Sequence, residues 1–214
     1  MTRKKEQDSQ WQMFAYTVSG EQDFLNRYFH VSDDALKSLR LCHEYVNKNP
    51  AGAITGLIEL MQRYSDIPQF KNLLGTAYRL SGNLKKANEV NEWIIKEHPD
   101  YLFGKLNKAY RHLADGEPEK VEELLGELME IRALYPERHT FHLTEVMAFY
   151  KVACLYFIAI DNIEAAKSRL QIMKTIDSNH PDVAFIRQRM KLTDLARHPE
   201  KIFGPKKSGR KRKK

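Results

Sequence analysis

An internal echo constrains this chain more than any other feature of its sequence. Leu74-Gly75, Tyr78, Ala87 and Pro99 are answered later by Ala153-Cys154, Phe157, Ala166 and Pro181. Gly75 to Tyr78 to Ala87 spans three and then nine positions, and Cys154 to Phe157 to Ala166 spans the same intervals. A small, an aromatic and a small residue at matched offsets describe one helical hairpin written twice. Such a hairpin cannot bury its apolar face alone, so copies stack into a solenoid whose broad surface holds another molecule. The pattern predicts an all-α chain, an α-solenoid of about four hairpins that works by binding.

From about residue 32 onward the apolar residues follow helical spacing, with no sustained alternation of the kind a half-buried strand shows. The first hairpin is read as Ser32–Lys48 with Ala51–Tyr64, and the second as Pro68–Leu80 with Leu84–Glu97, turning at Ser81-Gly82-Asn83. The third joins about Tyr101–Leu113 to Pro118–Tyr135 through Asp115-Gly116-Glu117. In its second helix Val121, Leu124, Leu125, Leu128 and Met129 form the apolar face, and Glu122, Glu123, Glu127 and Glu130 the wet one. The fourth joins Phe141–Ile160 to Ile163–Ile176, and a last helix over Pro181–Ala196 covers the open end. Residues 9–30 carry Trp11, Phe14, Phe24 and Phe29 but are split by Ser19-Gly20, which predicts two short capping helices. The chain thus divides into an N-terminal segment 1–30, a repeat domain 31–198 and a tail 199–214 too charged to bury anything, expected to be disordered.

Charge confirms the tail as a separate unit. Of the 35 basic residues in 214, seven are Lys206, Lys207, Arg210, Lys211, Arg212, Lys213 and Lys214, and the remaining 28 balance 28 acidic residues. A run of this composition suits sequence-blind attachment to RNA, DNA or a ribosome through phosphate neutralisation. It equally suits a nuclear import signal or a plain solubilising extension, and it has no aromatic residue to stack on bases. The two cysteines, Cys42 and Cys154, lie in apolar helical patterns and read as buried thiols in a reducing compartment. The N-terminus leads into no signal-peptide core, so a cytoplasmic protein is expected, or a nuclear one if the tail directs import. The longest apolar stretch, Val146–Ile160, is too short for a bilayer span of about 20 residues. Apolar all round, it needs cover on several sides, from neighbouring hairpins or from a second copy in a homodimer.

The Leu74, Gly75, Tyr78, Ala87 and Pro99 set resembles the tetratricopeptide repeat, a helix-turn-helix of about 34 residues. Cys154, Phe157 and Ala166 fit the same pattern, and the resemblance covers roughly residues 33–190 with degenerate repeats. In that packing Gly75 and Ala87 allow close helix approach and Tyr78 fills the gap between hairpins. Pro99 to Pro136 is 37 residues and Pro136 to Pro181 is 45, which the resemblance attributes to longer helices in the third and fourth units. The resemblance implies a concave groove lined by first helices, here presenting Arg40, His43, Asn72, Thr76, Arg79, Tyr101, Lys105, Lys108, Arg111 and His112. With Lys105, Lys108, Arg111 and His112 grouped on one face, a partner rich in Asp or Glu, or a phosphate, would suit it. The other reading of these cations is an ordinary solvated face. Some family members grip a chaperone's C-terminal carboxylate, but Asn72, Thr76 and Lys105 match that set poorly.

No catalytic motif is present: no glycine-rich phosphate loop, nucleophile elbow or zinc-protease helix. His139, His142 and Glu145 are three residues apart at a helix start, a spacing that brings too few ligands together for a zinc site. His98 and His180, each before a proline, read as helix-end residues. The sequence therefore predicts a non-enzymatic scaffold for a protein or peptide partner, without metal or cofactor. The alternative is a nucleic-acid- or ribosome-associated factor attached through its tail.

Overall fold

The computed structural model describes residues 16–21 and 30–198. Among the described residues ten helices carry most of the chain: α1 Asp33–Lys48, α2 Pro50–Arg63, α3 Pro68–Leu80, α4 Leu84–Glu97, α5 Leu102–Ala114, α6 Pro118–Leu125, α7 Ile131–Leu134, α8 Leu143–Ala159, α9 Ile163–Ile176 and α10 Pro181–Arg197. Two three-residue strands, β1 Thr17–Ser19 and β2 Thr140–His142, pair in parallel with Thr17 opposite Thr140. No helix among the described residues is long and apolar enough to cross a membrane.

Polar turn chemistry fixes the helix ends. Asn49, Asn83 and Asn162 each accept a hydrogen bond from the backbone N–H three residues on, capping α2, α4 and α9. Proline opens α2, α3, α6 and α10, where its missing N–H costs nothing. Helices α3, α5 and α8 all stop in the same way, with Gly82, Gly116 and Asp161 at positive φ. The next residue then donates back to a carbonyl in the last helical turn, Asn83 to Tyr78, Glu117 to His112 and Asn162 to Phe157. This is the left-handed C-terminal cap that glycine favours, here held once by an aspartate.

Each long helix packs on its successor, and α1 with α3, α5 with α8, and α8 with α10 also pack as alternate neighbours. The buried side chains fall into two clusters. One runs from Ala35 to Tyr101 and the other from Leu102 to Ile186, with Phe103 touching both. Asn91 on α4 donates from Nδ2 to the Gly104 carbonyl on α5 where the clusters meet. There the backbone approach is close: a Cβ on Gly104 would lie 2.9 Å from Ile94 Cγ2. At Gly75 a Cβ would meet Val90 Cγ1 at an ordinary 3.7 Å. The equivalent Cys154 places its thiol 3.5 Å from the Ala166 carbonyl. Steric need for a glycine therefore sits at Gly104 and not at Gly75.

Several expectations are corrected. The second helix of the third hairpin ends at Leu125, because Gly126 and Met129 both adopt positive φ. The longer spacing from Pro99 to Pro181 comes mainly from the irregular stretch between Gly126 and His142, which holds α7 and β2; of the helices only α8, with 17 residues against 13 in α3 and α5, is longer as expected, whereas α6 has 8. Glu130, expected on the wet face, is 1% exposed. Thr17–Ser19 is a strand where short helices were expected, and the rest of the predicted caps lies outside the described residues, as does the tail. Cys154 is buried and Cys42 only half-buried, and neither forms a disulfide. Of the two kinds of cover expected for residues 146–160, the chain itself supplies one: α8 packs against α5, α6, α9, α10 and both strands.

Candidate partner-binding cleft

An open cleft of about 560 Å³ lies where the two clusters meet. Arg79 stands at the last turn of α3, and Leu84, Asn88 and Asn91 line the wall contributed by α4. Asn107, Tyr110, Arg111 and Ala114 come from α5, Lys151 from α8 and Phe185 from α10. A second hollow of about 350 Å³ shares Tyr110, Ala114 and Phe185 with the first. Its further walls, Leu113, Leu155, Ile158 and Ala159, are apolar, and Arg189 is at its edge. The two hollows adjoin at the three shared side chains, the first lined by more polar residues and the second by more apolar ones together with Arg189.

Most of the cations here are already paired. Arg111 Nη2 is 2.9 Å from Glu92 Oε1, and Lys108 Nζ is 3.1 Å from Glu92 Oε2. Burial pushes the Glu92 carboxyl up, but hydrogen bonds and charge from Lys108 and Arg111 outweigh it and hold it below its ordinary value. Lys151 lies 2.7 Å from Asp182 Oδ1, over the Phe185 ring at 5.1 Å and the Tyr110 ring at 5.7 Å. Arg79 is different. No carboxylate lies within ion-pairing distance of it among the described residues, and desolvation by its surroundings draws its pKa down from the ordinary value. A guanidinium stays charged through such a shift, and it offers a planar fork that fits one carboxylate.

Two polar atoms in the cleft wall lack partners. Asn91 is 5% exposed and its Oδ1 accepts no hydrogen bond. Tyr110 Oη lies near the Lys151 ammonium without a hydrogen bond of good geometry. A buried polar atom left unpaired carries a desolvation cost of about 1–3 kcal/mol.

Of the ten groove residues expected from the sequence, Arg79 and Arg111 line this cleft. Arg40 and His43 are exposed on α1 and do not. Asn72 accepts from Asn107 Nδ2 at 3.0 Å, beside the cleft, and the Thr76 hydroxyl bonds back to the Asn72 carbonyl. Tyr101 is 4% exposed, and burial pushes its phenol pKa up, so it belongs to the core. Lys105 stacks over Tyr135, and His112 is buried with its Nδ1 2.9 Å from Glu117 Oε2. Of the four cations expected to share one face, Lys108 and Arg111 stay together on Glu92, while Lys105 and His112 turn to Tyr135 and Glu117. Lys206, Lys207, Arg210, Lys211, Arg212, Lys213 and Lys214 lie outside the described residues.

Leu84, Asn88, Asn91, Asn107, Tyr110, Lys151 and Phe185 were missed as groove residues. Lys151 was legible as the one charge in the apolar stretch Val146–Ile160, and Asn91 as a polar residue on an apolar face, whereas Phe185 gave no signal. The metal-like spacing has a different explanation. His142 caps α8 and accepts from Thr144 N, and its own N–H donates to Glu145 Oε2 at 3.0 Å. Glu145 in turn takes two hydrogen bonds from Arg138, at 3.0 and 2.7 Å. His98 closes α4 and bonds Lys71 Nζ; burial, then the Lys71 charge, lowers its pKa. His180 caps α10.

No known protein family matches this chain. No characterised protein matches it, and no solved structure matches the fold.

Proposed function

We propose that the protein is a non-catalytic scaffold, a tetratricopeptide-like α-solenoid that docks a protein or peptide partner in the groove between its two halves. The observation that carries this reading is Arg79, a guanidinium without a counter-charge among the described residues, beside amides and exposed apolar side chains in one open cleft. The repeated cap at Gly82, Gly116 and Asp161 and the packing of alternate helices support the repeat architecture. Full-length protein purified from its own cells tests the reading, compared with an Arg79→Glu/Phe185→Asp double variant and a chain lacking residues 206–214. A partner lost from the double variant and kept by the tail deletion is the expected result. Phe185 is 45% exposed and Arg79 is exposed, so neither change disturbs the core. Loss of bound RNA or DNA on tail deletion, with no protein lost from the double variant, would favour the nucleic-acid reading instead.

A further inference from the structure

Resting on the scaffold reading for its consequence, we infer that the chain beyond α10 folds back and seats Ile202-Phe203 in the apolar hollow between α5, α8 and α10, where it competes with a docked partner. Residues 199–205 lie outside the described residues, and the hollow is the surface within their reach. Arg197 in the last turn of α10 pairs with Asp161 in the turn that closes α8, so the two helices end side by side. Ile158 and Ala159, just before that turn, line the hollow. Phe185, Arg189, Leu192 and Ala196 follow one another along α10 at steps of four, three and four, which places them on one face. All four are exposed, Phe185 by 45% and Leu192 by 52%. A track of apolar side chains with one cation thus leads from the end of α10 to the hollow that Phe185 and Arg189 line. Arg189 precedes His198 by nine residues, about 13.5 Å of helix. The five residues from His198 to Phe203 span up to roughly 17 Å when extended, enough to return to it.

The sequence beyond α10 fits this surface. Ile202 and Phe203 are the only large apolar residues after His198, and the unbroken basic character begins only at Lys206. Glu200 is the one acid in residues 199–214, two positions before the apolar pair, and Lys206 follows three positions after it. Arg189 stands at the α10 wall of the hollow, and exposed Asp115 follows Ala114 at the α5 wall. Neither forms an ion pair among the described residues. Acid, apolar pair and base in the chain therefore meet cation, hollow and acid in the fold. Arg79, Arg111 and Lys151 in the adjoining cleft repel the basic run, so the segment covers the side chains that the two hollows share, Tyr110, Ala114 and Phe185, and leaves Arg79 open. Tethered a few residues away, Ile202 and Phe203 act at a high effective concentration against any partner side chain that uses the same hollow.

The test is benzoylphenylalanine in place of Phe203 in the full chain, irradiated and mapped by mass spectrometry. Adducts on Leu113, Leu155, Ile158 or Phe185 are expected, in a yield that does not change with protein concentration. Ile202→Ser is expected to lower that yield at least fivefold. Arg189→Glu is expected to lower it severalfold, and Glu200→Arg added to it to restore the parent's yield. Adducts confined to other helices, a yield that rises with concentration, no adduct, or an unchanged yield in Ile202→Ser or Arg189→Glu would overturn the inference. None of these readouts involves a partner, so the scaffold reading fails separately, by unchanged capture in the Arg79→Glu/Phe185→Asp variant. With both standing, the full chain carrying Ile202→Ser captures severalfold more partner than the parent.

Discussion

The two halves of the molecule are held together by different means. From Ala35 to Tyr101 the core is built from hairpins with short capped turns, and its one buried charge, Lys71, reaches Glu97 at 2.9 Å on a half-exposed side chain. From Leu102 to Ile186 the core wraps α8, and two buried carboxylates organise the irregular stretch beside it. Glu145 holds Arg138 and the start of α8, and Glu130 accepts from the Tyr150 hydroxyl, which lies 3.0 Å from that of Tyr16. Arg169 ties the same stretch down through the Leu128 and Met129 carbonyls. Local pattern is enough to shape the first half, whereas the second depends on polar groups that meet only in the folded chain.

Removing one partner of a fully buried ion pair should expose the contrast most. Glu145→Ala is expected to cost about 3–5 kcal/mol, because it leaves the Arg138 charge inside the protein. Lys71→Met should cost less, about 1–2 kcal/mol, since Glu97 keeps its water while the Ser65 carbonyl and His98 each lose a hydrogen-bond partner. Urea denaturation of both variants checks this, and an equal loss in the two would erase the distinction between the halves.

The next largest effect sharpens the boundary between them. Gly104→Ala forces a methyl against Ile94 and should destabilise by about 1–3 kcal/mol despite the better helix former. Gly75→Ala, free of such contact, should stabilise by about 0.5–1 kcal/mol. Thermal melts of the pair would show opposite signs.

A smaller gain is expected at Asp161, where an aspartate holds a φ of 65°. Asp161→Gly should stabilise by about 0.5–1 kcal/mol, since glycine adopts this conformation without strain. The exposed contact it gives up with Arg197 is worth little. The mirror change Gly82→Ala should lose a similar amount at the matching turn.

The pH dependence of the second half has a definite sign. Burial pushes the Glu130 carboxyl above its ordinary value of 4.5, against the lowering effects of the Tyr150 hydrogen bond and the Arg169 charge. The folded chain therefore holds this proton more tightly than the unfolded one. Its contribution to stability is fully present below the ordinary carboxyl pKa and is lost as pH rises through the raised one. Glu130→Gln, which lacks the ionisable group, should gain on the parent protein as pH rises through that window. Paired denaturation curves across it measure the difference, and parallel pH profiles would contradict it.

How much of this was legible follows from the same division. The capped hairpins at Ser81-Gly82-Asn83 and Asp115-Gly116-Glu117 could be read because their signals are local: a turn residue, a cap, a 3.6-residue period. The break after Leu125 could not, because Val121, Leu124, Leu125, Leu128 and Met129 keep helical spacing while Gly126 and the contacts of Arg169 and Glu130 override it. Strand β1 escaped because three residues paired to a distant partner leave no periodic trace. Little of the cleft was legible. Arg79 and Arg111 fell on the expected faces, but which cation stays unpaired depends on where Glu92 and Asp182 lie, and that is a property of the fold.

A photo-crosslinking amino acid at Asn88, in the cleft wall, with a control at the exposed Glu59 on α2, tests the binding account most directly. The account predicts a protein adduct from position 88 that disappears when Arg79→Glu is added, and none from position 59. Adducts from position 59 alone, or from neither position, would contradict it.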